Sequence, residues 1–243
     1  MSEIVQTALR VVYPSQCLIC RDLVETDFGL CGACWRDTPF TGGLVCDCCG
    51  VPLPGENTEE IAHCDSCISA PPAWDRGRAA LLYRDNGRRI VMGLKHNDRQ
   101  DIAPVGAKWL ARAVGPLILP DMLVAPVPLH WMRMMSRRYN QSALLAESLA
   151  RELGLAYCPD LLKRVRRTRS LDRFSGAERR EILDGAIQMH RGRRGRVAGG
   201  RPVLLIDDVL TTGATLGACA EVLRASGAGP LCIGALARVS RDD

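Results

Sequence analysis

Two adjacent carboxylates followed by a loop of small, hydroxylated residues form the stretch of this chain best suited to chemistry. The apolar run Val203–Ile206 leads directly into Asp207 and Asp208. In open α/β sheets, ligands bind beyond the carboxyl ends of the strands. A loop that opens a helix offers backbone N–H groups and the positive end of the helix dipole to a phosphate. The pattern therefore predicts a sugar phosphate site, with the acids on the ribose hydroxyls and the phosphate on Thr211, Thr212, Gly213, Ala214 and Thr215.

The loop differs from the better known phosphate-binding motifs. It has neither the glycine and lysine spacing of GxxxxGK[ST] nor the glycines of GxGxxG. This excludes a nucleoside-triphosphate loop and a dinucleotide fingerprint. The alternative to a sugar phosphate site is an ordinary strand, turn and helix whose two acids lie at the surface.

Four Cys-x2-Cys pairs form a second group of chemically competent residues. Two residues between thiolates let both sulfurs of a tight turn face one ion, and two such turns complete a tetrahedral shell without an open position. The pairs predict two structural Zn2+ sites. Sequential pairing of the four pairs is the simplest arrangement, and interleaved pairing stays open. Cys48 could replace a neighbouring cysteine as a ligand. The alternative to zinc binding is that the cysteines form disulfides. The predicted ligands are Cys17, Cys20, Cys31 and Cys34 for one site, and Cys46, Cys49, Cys64 and Cys67 for the other.

The distribution of cysteines divides the chain. Nine of the twelve cysteines lie between Cys17 and Cys67, and the composition changes near Pro71-Pro72. We expect a small Cys-rich domain at 1–72 and a larger domain at 73–243. Zinc thiolates are typical of a reducing compartment. There is no apolar run of about 20 residues and no secretory signal, so we expect no membrane span and a cytoplasmic protein.

The segments that must position the two acids alternate between strand-like and helix-like patterns. Short apolar strands that alternate with helices predict a parallel sheet flanked by helices, an α/β fold. Lys95 ends one predicted helix, where it either satisfies the helix dipole or faces substrate. The predicted strands are 78–84, 122–127, 201–208 and 231–239, and the predicted helices are 87–96, 102–114, a segment including 143–150, and 213–226.

A strongly basic span covers 163–201. It carries thirteen Lys and Arg side chains against four Asp and Glu, in a chain whose net charge is +5. Glycines interrupt it, which favours a mobile loop followed by an exposed edge or hairpin. The charge suits a solvated face, a polyphosphate substrate or a nucleic-acid backbone. The near absence of aromatic residues disfavours a stacking platform for single strands.

Taken together, these motifs resemble the ComF family, in which a double zinc ribbon precedes a type I phosphoribosyltransferase domain. The residues that carry the resemblance are the eight paired cysteines, VPLH at Val127–His130, YNQ at Tyr139–Gln141 and IDDVLTTGAT at Ile206–Thr215. The resemblance implies that the acids and the loop bind phosphoribosyl pyrophosphate (PRPP). It also implies that a turn next to basic groups approaches the pyrophosphate with Mg2+; these residues are Val127, Pro128, Leu129, His130 and Arg137, beside Lys95.

The resemblance leaves two functional classes open. One is an enzyme that transfers a phosphoribosyl group from PRPP to an acceptor, with 164–179 closing over the site. The other is a competence factor without turnover that takes part in DNA uptake and binds single-stranded DNA or DNA-processing proteins. The intact acid and loop motif favours the enzyme, and the excess positive charge favours the DNA factor.

Overall fold

A five-stranded parallel sheet is the centre of the computed structural model, which describes residues 15–24, 29–56, 61–96, 99–129, 139–166 and 185–240. Its spatial order is β1-β7-β6-β2-β3, with every pair parallel. A separate antiparallel pair, β4 and β5, stands beside it. The strands are β1 Arg76–Leu82, β2 Leu123–Pro126, β3 Ala156–Tyr157, β4 Leu162–Arg164, β5 Ile187–Met189, β6 Val203–Leu210 and β7 Leu231–Arg238.

Helices connect these strands and cover both faces of the sheet. Two short 3-10 turns, Gly115–Leu117 and Arg191–Arg196, accompany them. None of the described helices is long and apolar enough to cross a membrane. The α-helices are α1 Gly32–Arg36, α2 Asp65–Ser69, α3 Asp85–His96, α4 Ile102–Val114, α5 Gln141–Leu153 and α6 Ala214–Ala225.

The central strand β6 is apolar throughout its first half because both faces of the sheet are covered. Leu204 and Ile206 face the core formed with α4 and α5. Val203 and Leu205 face the other core, which includes the buried side of α6. Side chains of a strand alternate between its faces, so four consecutive apolar residues are needed to fill two cores.

The Cys-rich region packs along the β1 edge of the sheet. The Thr41 amide donates to the Ala80 carbonyl at 2.9 Å, and the Leu82 amide donates to the Pro39 carbonyl at 2.8 Å. Further along the same edge, the Gly77 amide donates to the Asp47 carbonyl at 2.8 Å. These bonds occupy groups that a free edge strand would present to other chains.

The predicted fold class is confirmed: a parallel sheet flanked by helices follows a Cys-rich double zinc ribbon. Helix α4 has the predicted bounds. Strand β6 is longer than its apolar run, because β7 stays paired with it as far as Leu210. The two acids therefore lie inside the strand. The antiparallel strands β4 and β5 lie on either side of 167–184, whereas the prediction placed a hairpin after the mobile loop. Residues 167–184, which include most of the predicted mobile loop, lie outside the described residues.

Candidate functional site

Asp207 and Asp208 lie where β6 passes the start of α5. The Ser142 hydroxyl donates to Asp207 Oδ1 at 2.8 Å, and the Asp208 amide donates to the same oxygen at 2.9 Å. Burial and the neighbouring charge of Asp208 raise the pKa of Asp207 to about 7. Near neutral pH the site therefore holds one carboxyl group that changes charge.

Lys95 is brought to this carboxylate pair from α3. Its Nζ lies 3.4 Å from Asp208 Oδ1, and the lysine side chain is 22% exposed. The end of α3 is held by the segment before α5: the Tyr139 hydroxyl donates to the Leu94 carbonyl at 2.9 Å, and Gln141 Nε2 donates to the Lys95 carbonyl at 3.4 Å. Lys95 thus faces the acids from the last turn of α3.

The loop after β6 turns sharply into α6. Gly213 has φ +77° and occupies the N-cap position of that helix. This left-handed conformation is strained for residues with a Cβ. Thr211 and Thr212 are exposed, and Ala214 and Thr215 form the first residues of the helix. The loop places hydroxyls and helix N-terminal amides together, which is the chemistry of an anion site.

The predicted pyrophosphate turn follows β2, the strand next to β6. The Val127 amide donates to the Ile206 carbonyl at 2.9 Å, and the Asn140 side-chain amide donates to the Val127 carbonyl at 3.1 Å. Pro128 is buried and Leu129 is half-buried. The turn therefore begins at the end of the sheet where the acids lie, towards the carboxyl ends of the strands. His130 and Arg137 lie outside the described residues.

The eight predicted zinc ligands form two groups of four in sequential order, as the simplest pairing predicts. In each group the sulfur atoms all lie within 4.8 Å of one another, so four thiolates fit one tetrahedral ion. Cys48 and His63 belong to neither group within the described part of the chain. The Cys48 thiol instead lies 3.8 Å from the Asp75 carbonyl. The groups are Cys17, Cys20, Cys31 and Cys34, and Cys46, Cys49, Cys64 and Cys67.

Several residues of the site were not singled out from the sequence. One of them is Ser142, which binds Asp207. Asn140 belongs to the YNQ element of the resemblance, but its contact was not predicted: it caps α5 by accepting from the Ser142 amide at 3.0 Å. Asn is a favoured N-cap residue, so the start of α5 was a usable signal. Arg238 donates to the Thr211 carbonyl at 2.6 Å, and Trp74 lies against Gly213. No local pattern marks these last two, because their partners are distant in sequence.

Sequence comparison matches the Cys-rich part of the chain to a family model and most of the chain to curated relatives. The family model described as Double zinc ribbon domain matches residues 8–68. "DNA utilization protein YhgH" of Escherichia coli K12 is 31% identical over 232 residues, covering 93% of this chain and 97% of the relative. "Competence protein F" of Haemophilus influenzae is 29% identical over 230 residues, covering 92% of this chain and 96% of the relative. A double zinc ribbon joined to a parallel α/β domain is therefore the class of this protein, and the chain belongs to the ComF family.

Solved structures similar to the chain include adenine phosphoribosyltransferases. The one from Thermoanaerobacter pseudethanolicus is 17% identical with a TM-score of 0.37, over 58% of this chain and 83% of that chain. The one from Saccharomyces cerevisiae is 15% identical with a TM-score of 0.36, over 58% of this chain and 68% of that chain. Similarity at this level says nothing about substrate or activity.

Proposed function

We propose that the protein binds PRPP with Mg2+ and transfers its phosphoribosyl group to an acceptor nucleophile. The observation that carries the proposal is the placement of Asp207 and Asp208 beside the loop that opens α6. Ser142 and Lys95 lie against the two acids. The acids would hold the ribose hydroxyls, and Thr211–Thr215 would hold the 5′-phosphate.

Charge neutralisation and positioning would supply most of the catalysis. The bond between C1 of the ribose and the pyrophosphate oxygen breaks, the pyrophosphate leaves with the bonding electrons, and the acceptor forms a new bond to C1. Carboxylate and phosphate oxygens are the ligands that Mg2+ prefers, so Asp207 and Asp208 fit this ion. When bound, Mg2+ would neutralise charge on the leaving pyrophosphate. Oxocarbenium character at C1 would be stabilised by the nearby carboxylates, as in glycosyl transfer.

In this proposal, Lys95 would also attract the leaving pyrophosphate. Its ammonium group lies against Asp208, which keeps a positive charge at the edge of the sheet where the turn Val127–His130 begins. A leaving pyrophosphate would gain from such a charge, whereas the acids alone would repel it. Arg137, which follows the turn in the sequence, would add to this effect, as the family resemblance implies.

Calorimetric titration of Mg2+ and PRPP into the zinc-loaded protein tests the proposal. We expect saturable binding by the wild type and none by the Asp207→Asn, Asp208→Asn double variant. The matched control is Asp121→Asn with Glu147→Gln, two exposed acids that pair with Arg201 and Arg151 away from the site. Absence of binding by the wild type, or equal binding by the site variant, would refute the proposal.

A second candidate function, DNA handling, rests on a different observation. The 3-10 turn Arg191–Arg196 carries four arginines, of which Arg191, Arg194 and Arg196 are exposed. A relative bears the name "DNA utilization protein". We propose it as the alternative: a cytoplasmic factor that binds single-stranded DNA and competence or DNA-processing proteins. Zinc thiolates support the cytoplasmic location.

The DNA alternative predicts an affinity that depends steeply on salt, because phosphate contacts release counterions. Fluorescence anisotropy with a labelled oligonucleotide at 50 and 200 mM salt measures it. Replacing Arg191, Arg194 and Arg196 together with glutamine should flatten the salt dependence. Salt-independent binding, or unchanged binding by this variant, would remove the turn from the DNA surface.

A further inference from the structure

Trp74 joins the second zinc centre to the loop after β6. Its indole Nε1 donates to the Cys48 carbonyl at 2.7 Å. Cys48 lies between the zinc ligands Cys46 and Cys49, so its backbone is fixed when those thiolates share an ion. The tryptophan is 6% exposed, and the hydrogen bond is partly buried.

The far edge of the same indole lies directly under the loop. A Cβ added at Gly213 would stand 2.5 Å from Trp74 Cη2 and 3.3 Å from Cζ3. This close approach is possible because Gly213 has no side chain. The ring and the loop are in contact, so the loop cannot move closer to the ring. The position of Gly213 therefore depends on the position of the indole.

Arg238, the last residue of β7, holds the loop from the other side. Its Nη1 donates to the Leu210 carbonyl at 3.0 Å and to the Thr211 carbonyl at 2.6 Å. These two carbonyls mark the end of β6 and the beginning of the loop. A charged donor on adjacent carbonyls fixes the direction in which the following amides and hydroxyls point.

The second zinc centre is itself anchored to the sheet. Asp47, inside the same Cys pair, accepts from Arg76 at 2.8 Å and from Arg78 at 2.7 Å. A Cβ on Gly77 would meet the Cys48 carbonyl at 2.5 Å, so the backbones are in contact. The zinc ligands are thus linked to Gly213 by direct contacts: Cys48 is next to a ligand in the chain, Trp74 is hydrogen-bonded to Cys48, and Gly213 packs on Trp74.

We propose that Trp74 and Arg238 are positioning residues for the phosphate loop, and that the second zinc centre sets the loop geometry through Trp74. This inference rests on the proposed function, in which Thr211–Thr215 hold the 5′-phosphate of PRPP. It assigns the ribbon a role in ligand binding, beyond that of a separately folded module. Next to the first zinc centre, by contrast, Trp35 contacts Trp109 of α4, with ring centroids 6.4 Å apart.

Trp74→Phe tests the first half of the proposal, because it keeps an aromatic ring and removes the N–H donor. The matched control is Trp109→Phe, a tryptophan that is also buried and whose Nε1 has no hydrogen-bond partner in the described structure. We expect ribose 5-phosphate to bind about threefold to tenfold more weakly to Trp74→Phe at full zinc occupancy. Mg2+-pyrophosphate, which the proposed turn would hold, should bind as it does to the wild type. A loss of both ligands would indicate only general damage and would contradict the proposal.

Arg238→Gln tests the second half, with Arg238→Lys as the conservative rescue. Arg201→Gln is the control, since Arg201 bonds to the Asp121 carbonyl at the opposite end of β6. We expect weaker ribose 5-phosphate binding by Arg238→Gln, partial recovery in Arg238→Lys and no change in Arg201→Gln. Equal affinity in all three variants and the wild type would overturn the role of Arg238.

Amide hydrogen exchange separates failure of this inference from failure of the proposed function. Without any ligand, Trp74→Phe and Arg238→Gln should speed exchange in the peptide containing 210–216, while peptides from α4 stay unchanged. Faster exchange at the loop in a protein that binds no PRPP would keep the inference and refute the function. Unchanged exchange at the loop would refute the inference whatever the ligand.

Discussion

At the scale of single residues, the two acids of β6 do not share one environment. Asp207 is hydrogen-bonded on one oxygen by Ser142 and by the Asp208 amide, yet burial outweighs these bonds and raises its pKa to about 7. Asp208 has the ammonium group of Lys95 at 3.4 Å. The pair thus combines a carboxyl group that titrates near neutral pH with one that has a positive neighbour, which is compatible with the proposed binding of ribose hydroxyls and Mg2+.

Asp207→Asn should make the protein more stable at pH 8 than the wild type is. An unfolded aspartate loses its proton near pH 4, but the folded protein keeps it up to about pH 7. Stability from this group is therefore present below pH 4 and is lost as the pH rises through 7. Between pH 6 and 8 we expect the wild type to lose about 1 kcal/mol relative to the variant, whose amide oxygen can still accept both hydrogen bonds.

Urea unfolding of both proteins at pH 6 and pH 8 measures this difference. Asp121→Asn, at an exposed acid, serves as the control and should follow the wild type at both pH values. If the free energies of unfolding of wild type and Asp207→Asn keep a constant difference across this range, the raised pKa of Asp207 is wrong.

Gly213→Ala should damage the loop more than its backbone strain alone accounts for. Gly213 and Gly227 both have positive φ, +77° and +86°, but only Gly213 has an atom within 3 Å of the added Cβ. Gly227→Ala should cost about 1 kcal/mol from strain, and Gly213→Ala roughly 1–3 kcal/mol more from the clash with Trp74. Thermal unfolding and PRPP titration of both variants check this. Equal effects of the two substitutions would contradict the packing of Trp74 against the loop.

At the scale of elements, one short segment connects three parts of the site. Tyr139 and Gln141 bind the carbonyls at the end of α3, which carries Lys95. Asn140 between them caps α5 and also donates to the Val127 carbonyl after β2. The segment therefore sets the relative positions of the lysine, of Ser142 and of the turn after β2.

Asn140→Asp should separate the two functions of this side chain. The carboxylate can still accept from the Ser142 amide and cap α5, but it has no donor for the Val127 carbonyl. We expect a loss of about 1 kcal/mol for Asn140→Asp and about 2 kcal/mol for Asn140→Ala, which removes both bonds. Urea unfolding measures the free energy of unfolding of each variant and thus the order of these losses. Pyrophosphate titration should show weaker binding by both variants, and a wild-type affinity in Asn140→Asp would disconnect the turn from this bond.

The sequence predicted the elements better than it predicted their side-chain contacts. Helix α4 and the strands β1, β2, β6 and β7 follow from periodicity and apolar runs, which are local properties. The two-residue strand β3 at the edge of the sheet was not predicted. The partners of Asp207 and Thr211 are Ser142 and Arg238, residues 65 and 27 positions away. Such pairs depend on the order of strands in the sheet, and no spacing along the chain specifies that order. The sequential zinc pairing could be predicted because its ligands are close together in the sequence. The contact between Trp74 and the loop was not predicted, because its two partners are far apart.

At the scale of the whole molecule, the ribbon acts as a cover for the edge of the sheet. Thr41 and Pro39 exchange backbone hydrogen bonds with one end of β1, and Asp47 bonds to the other. Phe40 and Trp35 pack against each other on Trp109 of α4. Loss of either zinc ion should therefore affect the α/β domain as well as the ribbon.

Removal of one zinc ligand should release one ion and lower the thermal stability of the entire chain. We expect Cys17→Ser and Cys64→Ser each to retain one zinc equivalent and to unfold at a lower temperature, because metal binding supplies folding free energy. Cys48→Ser, next to two ligands but outside their group, should retain two equivalents. Zinc analysis by mass spectrometry and calorimetric melting test this. Two equivalents in Cys17→Ser or Cys64→Ser would remove that residue from the ligands.

The Asp47 carboxylate joins the second zinc centre to β1 by two ion pairs. Its carboxylate is 10% exposed and accepts from Arg76 and Arg78, and the two guanidinium groups together hold the pKa of Asp47 below its usual range against the opposing effect of burial. Asp47→Ala leaves Arg78, 15% exposed, without this partner. Breaking such a pair from one side typically costs about 3–5 kcal/mol, whereas an exposed helical pair contributes about 0.3–0.5 kcal/mol.

We therefore expect Asp47→Ala to lower the free energy of unfolding by roughly 3 kcal/mol. Glu147→Ala, which breaks the exposed pair with Arg151 on α5, should change it by less than about 0.5 kcal/mol. Because Asp47 stabilises the folded state through a depressed pKa, its contribution should disappear as the pH falls below about 4. Urea unfolding at pH 7 with zinc content measured in parallel tests this. A small loss in Asp47→Ala at full zinc occupancy would mean that the backbone contacts of β1 alone hold the ribbon on the sheet.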